Sequence, residues 1–170
     1  MVTIYLPHPE RPLCGHTAPL DILAIPLEHQ VVWLQPQLTM LFHTPLRHYP
    51  SLSELTGAEI WVKHENFQIL GAFKVRGGIN LVSQLPAEEL AAGLITASSG
   101  NHGQSIAYAS RLFGARCIVC VPEGANPLKV EAMETLGAKV LAHGGVFEEA
   151  REFAERQAAE SGIRYVDPAD

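Results

Sequence analysis

From residue 44 onward, short apolar runs alternate with stretches of helical period, and this alternation constrains the fold more than any other feature of the chain. Ile60-Trp61-Val62-Lys63 is rich in branched and aromatic residues, which marks a strand. Leu94-Ile95-Thr96-Ala97 and Cys117-Ile118-Val119-Cys120-Val121 are apolar runs of strand length, and 139–142 is another. Between them the spacing predicts helices over 74–85, 103–113, a stretch opened by Asn126-Pro127, and 146–161. Gly77 and Gly78 weaken the first helix but let another backbone approach it closely. Ile106, Ala109 and Phe113 share one face of the second, and Gly114 stops it. Asn126 supplies an N-cap and Pro127 a pre-set first turn to the third, whose stripe is Val130, Met133 and Leu136. In the last, Phe147, Ala150, Ala154 and Ala158 point inward, with Glu148, Glu149, Arg151 and Glu155 outward. Strands joined by short helical crossovers pair in parallel, so the expected class is α/β, with one parallel sheet and flanking helices over 44–170.

Residues 1–43 have another texture. Pro7, Pro9, Pro12, Pro19, Pro26 and Pro36 break every candidate helix, so an irregular proline-rich arm is expected there, poorly packed against the rest. The 47% hydrophobic and 18% charged shares are those of a globular chain, not a disordered one. A net charge of -6 with no basic stripe argues against a nucleic-acid surface. Val31-Val32-Trp33-Leu34 is interrupted by Gln35, Pro36 and Gln37, far short of the ~20 apolar residues of a membrane span. No basic region followed by an apolar run opens the chain, so no signal peptide is expected. Three cysteines, an odd number, suggest a reducing cytoplasm and not a disulfide framework. Cys117 and Cys120 form a C-x-x-C inside a buried strand, where their side chains face opposite sides, so packing explains them better than redox or zinc chemistry.

Two motifs carry chemistry. Gly71-Ala72-Phe73-Lys74-Val75-Arg76-Gly77 places a lysine in an apolar, glycine-flanked turn, and a lysine amine in such a setting can form a Schiff base with an aldehyde. Ser98-Ser99-Gly100-Asn101-His102-Gly103 follows the strand 94–97 directly, at the carboxyl end where parallel sheets bind ligands. Its hydroxyls, amide and glycine at a helix start suit an anionic group. Neither a dinucleotide nor a P-loop fingerprint occurs. His102 has no second ligand at metal spacing, and His64-Glu65 lacks its H-E-x-x-H partner because position 68 is Gln, so no metal is expected. Glu65 and Asn66 are expected to organise the loop ahead of Lys74.

Together with Thr44-Pro45-Leu46, Lys63-His64-Glu65-Asn66, Val121-Pro122-Glu123, Pro127-Leu128-Lys129-Val130 and Leu136-Gly137-Ala138-Lys139-Val140, these motifs resemble the fold-type II pyridoxal-phosphate enzymes. The likeness is greatest to the threonine/serine dehydratase branch that includes serine racemase, whose fold is similar to the tryptophan synthase β chain. It implies pyridoxal 5'-phosphate as cofactor and a free β-hydroxy amino acid as substrate, which a lyase would convert to a 2-oxo acid. Carried over residue by residue, Lys74 would hold the cofactor and move the α-proton, Phe73 would pack on its ring, and Asn101 would bond its ring oxygen. Ser98, Ser99, Gly100, Asn101 and His102 would wrap the substrate carboxylate, and Ser99 would act on the face opposite Lys74.

The residues alone leave other readings open: a solvated helix lysine at 74, core packing at Phe73, a cap or turn role at Asn101, and polar packing at His102. Gln68-Ile69-Leu70-Gly71 departs from the family, with Leu70 removing a hydroxyl from the turn before the lysine, and Ala72 stands where serine is common. In the family, the glycine-rich phosphate loop and the residue facing the pyridine nitrogen lie beyond the matched span, so a partial domain is implied, incomplete as an isolated catalyst. The alternatives are a sister activity (serine racemase, threonine synthase or cysteine synthase-like), a non-catalytic truncated fragment, or an interaction module. A homo-oligomer is implied for the full-length form.

Overall fold

The computed structural model describes residues 3–5 and 41–170, so the expectation of an irregular arm lies almost wholly outside the described residues. The chain divides into two compact units, Met1–Gly71 and Ala72–Asp170.

In the first unit, β1 (Thr3–Tyr5), β2 (Leu46–His48) and β3 (Trp61–Lys63) form an antiparallel sheet in the order β1-β3-β2. The run expected to join the parallel sheet therefore forms a strand but pairs elsewhere. Two facts explain the difference. The helix between β2 and β3, α1 (Pro50–Thr56), buries no residue and cannot serve as a crossover packed on a sheet face. Along β3, Trp61 is exposed and Val62 buried, as on a sheet covered on one side only.

Within this unit, Glu65 is buried and accepts a 2.5 Å bond from the Thr44 hydroxyl. Lys63 Nζ donates to the Thr44 carbonyl at 2.6 Å, and the Gln68 amide bonds the Phe42 backbone at both ends. The Glu65 segment thus anchors residues 42–44. His64 Nε2 pairs with the Tyr49 hydroxyl at 2.8 Å.

The second unit contains α2 (Lys74–Ser83), α3 (Ala87–Ala92), β4 (Leu94–Ala97), α4 (Asn101–Leu112), β5 (Cys117–Val121), α5 (Pro127–Thr135), β6 (Lys139–Ala142), α6 (Phe147–Ser161) and β7 (Arg164–Tyr165). Its sheet is parallel throughout, in the order β6-β5-β4-β7. β4 is buried at every position, which is why it appears as an unbroken apolar run. On one side, α6 packs Ala154 and Ala158 onto Ile95, Ala97 and Cys120. On the other, α4 contacts β4 and β5, and α2 and α5 pack against α4. Burying each Ile or Leu of this core contributes about 1.5–3 kcal/mol.

Cys117 and Cys120 are free and buried in β5, and burial pushes both thiols up to about 11. Of the expected α5 stripe only Met133 is fully buried, because α5 packs chiefly on α4 and β6. The Asn126 cap forms as expected, its side chain accepting from Leu128 N at 2.9 Å. Among the described residues no helix is long and apolar enough to cross a membrane.

Candidate active site

Lys74 is the first residue of α2, with Phe73 at the N-cap position. Its ammonium end is half-buried, donates to the Pro168 carbonyl at 2.8 Å, and lies 5.9 Å from the centre of the Phe73 ring. Pro168 belongs to the turn that follows β7, at the carboxyl end of the sheet. The crossing of α2 and α4 sets where Lys74 stands. Ser105 Oγ of α4 donates to the Lys74 carbonyl at 2.5 Å. A Cβ at Gly78 would lie 2.9 Å from the Ser105 carbonyl oxygen, so only glycine permits this approach. Gly78 and Ser105 thereby hold the first turn of α2 against α4.

The Ser98 loop continues β4. Ser98 N donates to the Cys120 carbonyl at 3.0 Å, and its buried hydroxyl accepts from Gly100 N at 3.2 Å. α4 begins at Asn101, two residues ahead of the expected start, with Gly100 as N-cap and no side-chain cap. The cap reading of Asn101 therefore does not hold; its side chain is exposed at the first helical position. The N–H groups of Asn101, His102 and Gly103 have no carbonyl one turn back within the helix, and the helix dipole adds partial positive charge there. The Ser98 and Gly100 N–H groups are already engaged, by Cys120 O and Ser98 Oγ. Lys129 Nζ lies over the same loop, 3.7 Å from where a Gly100 Cβ would stand.

The His102 ring turns inward, its Nε2 3.1 Å from Thr96 Oγ1 on β4. Its pKa lies below the usual 6.5, first through burial and then through the nearby charge of Lys74; the Val166 backbone, Asp167 and Asp170 partly offset this. Among the described residues no group of three or more His, Cys, Asp and Glu side chains is placed to hold a metal ion.

Two cavities accompany the sheet. A small one of about 30 Å³ touches Lys74, Gly78, His102, Ile106, Val166 and Asp170, room for roughly one water. A larger cleft of about 300 Å³, lined by Leu94, Arg116, Cys117, Ile118, Lys139 and Ile163, lies at the amino ends of the strands, away from the lysine. Sequence reasoning missed Thr96, Ser105, Lys129 and Pro168. Thr96, the one polar residue in its strand, was the available signal.

Residues 38–170 match the family model described as pyridoxal-phosphate dependent enzyme. The L-threonine ammonia-lyase of Geobacter sulfurreducens is 42% identical over 127 residues, 75% of this chain and 32% of that protein. The biosynthetic L-threonine dehydratase of Haemophilus influenzae is 37% identical over 127 residues, 75% of this chain and 25% of that protein. Among solved structures, the processed form of threonine deaminase isoform 2 from Solanum lycopersicum superposes with a TM-score of 0.71 at 32% identity, covering 80% of this chain and 40% of that one. Serine racemase from Dictyostelium discoideum superposes at 0.68 with 36% identity, covering 77% and 42%. The chain spans between 21% and 39% of the length of the curated relatives it matches.

Proposed function

The chain belongs to the pyridoxal-phosphate-dependent enzyme family, and from that premise we propose a lyase role of the threonine/serine dehydratase kind. In that reaction a β-hydroxy amino acid loses its α-proton and its hydroxyl, and the released enamine takes up water to give a 2-oxo acid and ammonia. The observation that carries the reading is the joining of two first turns. Lys74 opens α2, Asn101 opens α4, and Ser105 and Gly78 bind the two helices together at the carboxyl end of the sheet.

The donor set fits pyridoxal 5'-phosphate. The Lys74 amine is held by one neutral carbonyl, a partner it can exchange, and Phe73 offers an apolar ring beside it. Asn101 presents an exposed amide that can donate to a ring oxygen. When bound, the cofactor supplies an electron sink for the α-carbon. Lys74 Nζ then takes the proton from that carbon. The N–H groups of Ser99, Asn101 and His102 hold the substrate carboxylate at the α4 terminus, while Ser98 and Gly100 shape the loop through their mutual bond. The Ser99 hydroxyl is the candidate proton carrier on the second face, and its place on this loop supports racemisation as a side activity. The partner is a free small amino acid, and the two free buried thiols accord with a reducing cytoplasm.

A chimera tests the reading. Residues 44–170 replace the matching segment of the Geobacter sulfurreducens L-threonine ammonia-lyase, and 2-oxobutyrate release from L-threonine is followed. Turnover that Lys74→Ala abolishes is the expected result. A folded chimera without turnover, or one that keeps it after Lys74→Ala, overturns the reading.

A further inference from the structure

Thr96 is fully buried in the central strand β4, yet its hydroxyl is twice engaged. It donates to the Val166 carbonyl at 2.8 Å and sits 3.1 Å from His102 Nε2. A carbonyl can only accept, so the single hydroxyl proton goes to Val166 and the ring must donate from Nε2–H. The bridge therefore runs in one direction, from the first turn of α4, through β4, to the end of β7. Val166 is also tied by its N–H to the Ile95 carbonyl at 2.8 Å. Directly after it comes a self-bonded turn: Asp167 N to Asp170 Oδ2 at 3.0 Å, Ala169 N to Asp167 Oδ1 at 2.8 Å, and Asp170 N to the Asp167 carbonyl at 3.1 Å. The free carbonyl of that turn, on Pro168, is the one that holds Lys74 Nζ.

We propose that Thr96 and His102 are positioning residues for Lys74: their buried bridge sets the end of β7, and the turn behind it presents the Pro168 carbonyl that holds the amine. This rests on the reading of Lys74 as the reactive amine, but concerns the chain before any cofactor arrives. The neutral Nε2–H tautomer of His102 supplies that donor, and burial, which lowers the ring's pKa, favours the uncharged form. The small cavity beside Lys74, His102 and Val166 is also lined by Asp170, whose carboxylate is engaged by Asp167 N in the turn.

Competitive reductive methylation of the 170-residue chain by formaldehyde and cyanoborohydride tests this without cofactor. Labelling of Lys74 is read by peptide mapping against Lys63, Lys129 and Lys139. Thr96→Val keeps the shape and removes the hydroxyl, and His102→Phe removes the donor. Each is expected to raise Lys74 labelling, relative to the other three lysines, by about threefold, the effect of losing one hydrogen bond. Thr96→Ser and His102→Gln keep a hydroxyl and an N–H and should restore the wild-type ratio. A structural weakening alone would raise Lys74 and the half-buried Lys63 together against the exposed Lys129 and Lys139, which overturns the proposal, as does an unchanged ratio in both Thr96→Val and His102→Phe. Where Thr96→Val does not fold, the His102 pair decides. Failure here leaves cofactor trapping on Lys74 untouched, so the two readings fall separately.

Discussion

The two ends of the parallel sheet differ in a way that cavity size alone would misjudge. At the amino ends of β4, β5 and β6 lies the roomier cleft, about 300 Å³ with an apolar floor and Arg116 and Lys139 among its lining residues. Arg116 there donates to the Ala92 carbonyl at 2.9 Å, a surface contact that leaves no reactive group poised. At the carboxyl ends lies a cavity of about 30 Å³, and Lys74, His102, the start of α4 and the turn after β7 converge beside it. Parallel strands deliver loops and helix starts to their carboxyl ends, so reactive side chains gather there even where packing leaves little space. Chemistry follows the direction of the strands, and volume does not.

The largest effect expected of this contrast is on stability at the carboxyl end. A Cβ at Gly103 would meet Met133 Sδ at 2.6 Å, the Ser98 carbonyl at 3.0 Å and Val119 Cγ1 at 3.1 Å. The Ser98 backbone is fixed by its bond to Cys120 and cannot retreat. Overpacking should therefore outweigh the helical gain of glycine to alanine, and Gly103→Ala should lose about 1–2 kcal/mol in urea unfolding. A gain in stability would break the claim that this end is the tightly built one.

A smaller effect concerns pH. His102 titrates below 6.5 in the folded chain, so the unfolded chain takes up the proton first as pH falls. Its contribution is fully present above 6.5 and is lost as pH drops through that value toward the folded pKa. The charges facing the ring are Lys74, Asp167 and Asp170. His102→Gln should flatten the stability slope below about pH 6.5, as seen in urea midpoints at several pH values. An unchanged slope would place the ring in solvent.

The smallest effect belongs to the amino end. Arg116→Ala and Lys139→Ala should each shift unfolding by no more than about 0.5 kcal/mol, as surface changes do. Neither should alter labelling at Lys74. A marked loss there would show that the large cleft is coupled to the lysine after all.

What could be read from sequence follows the same division. β4 and β5 fall on the expected residues because strands buried on both faces are continuous apolar runs, ended here by Ser and Pro; β6, a half-buried edge strand, is legible as the short run Val140-Leu141-Ala142 ended by His143. α3 and β7 escaped, being six and two residues long, too short to show a period. β3 was legible as a strand, but its antiparallel partners were not, since Leu46–His48 is exposed throughout and carries no apolar signal. The motif order placed Lys74 and Asn101 at helix starts. The Pro168 carbonyl that holds the lysine is 94 residues away and is a backbone group, which no side-chain pattern announces. The inward turn of His102 depends on Thr96 behind it, visible only once strand and helix are packed.

The central claim is that Lys74 is the amine this fold sets aside for an aldehyde. Pyridoxal 5'-phosphate is added to the 170-residue chain, the adduct is reduced with borohydride, and peptides carrying Lys63, Lys74, Lys129 and Lys139 are quantified. Modification concentrated on Lys74, with Lys74→Ala removing it, is the predicted result. Modification spread evenly over the four lysines, or unaltered by Lys74→Ala, would contradict the account.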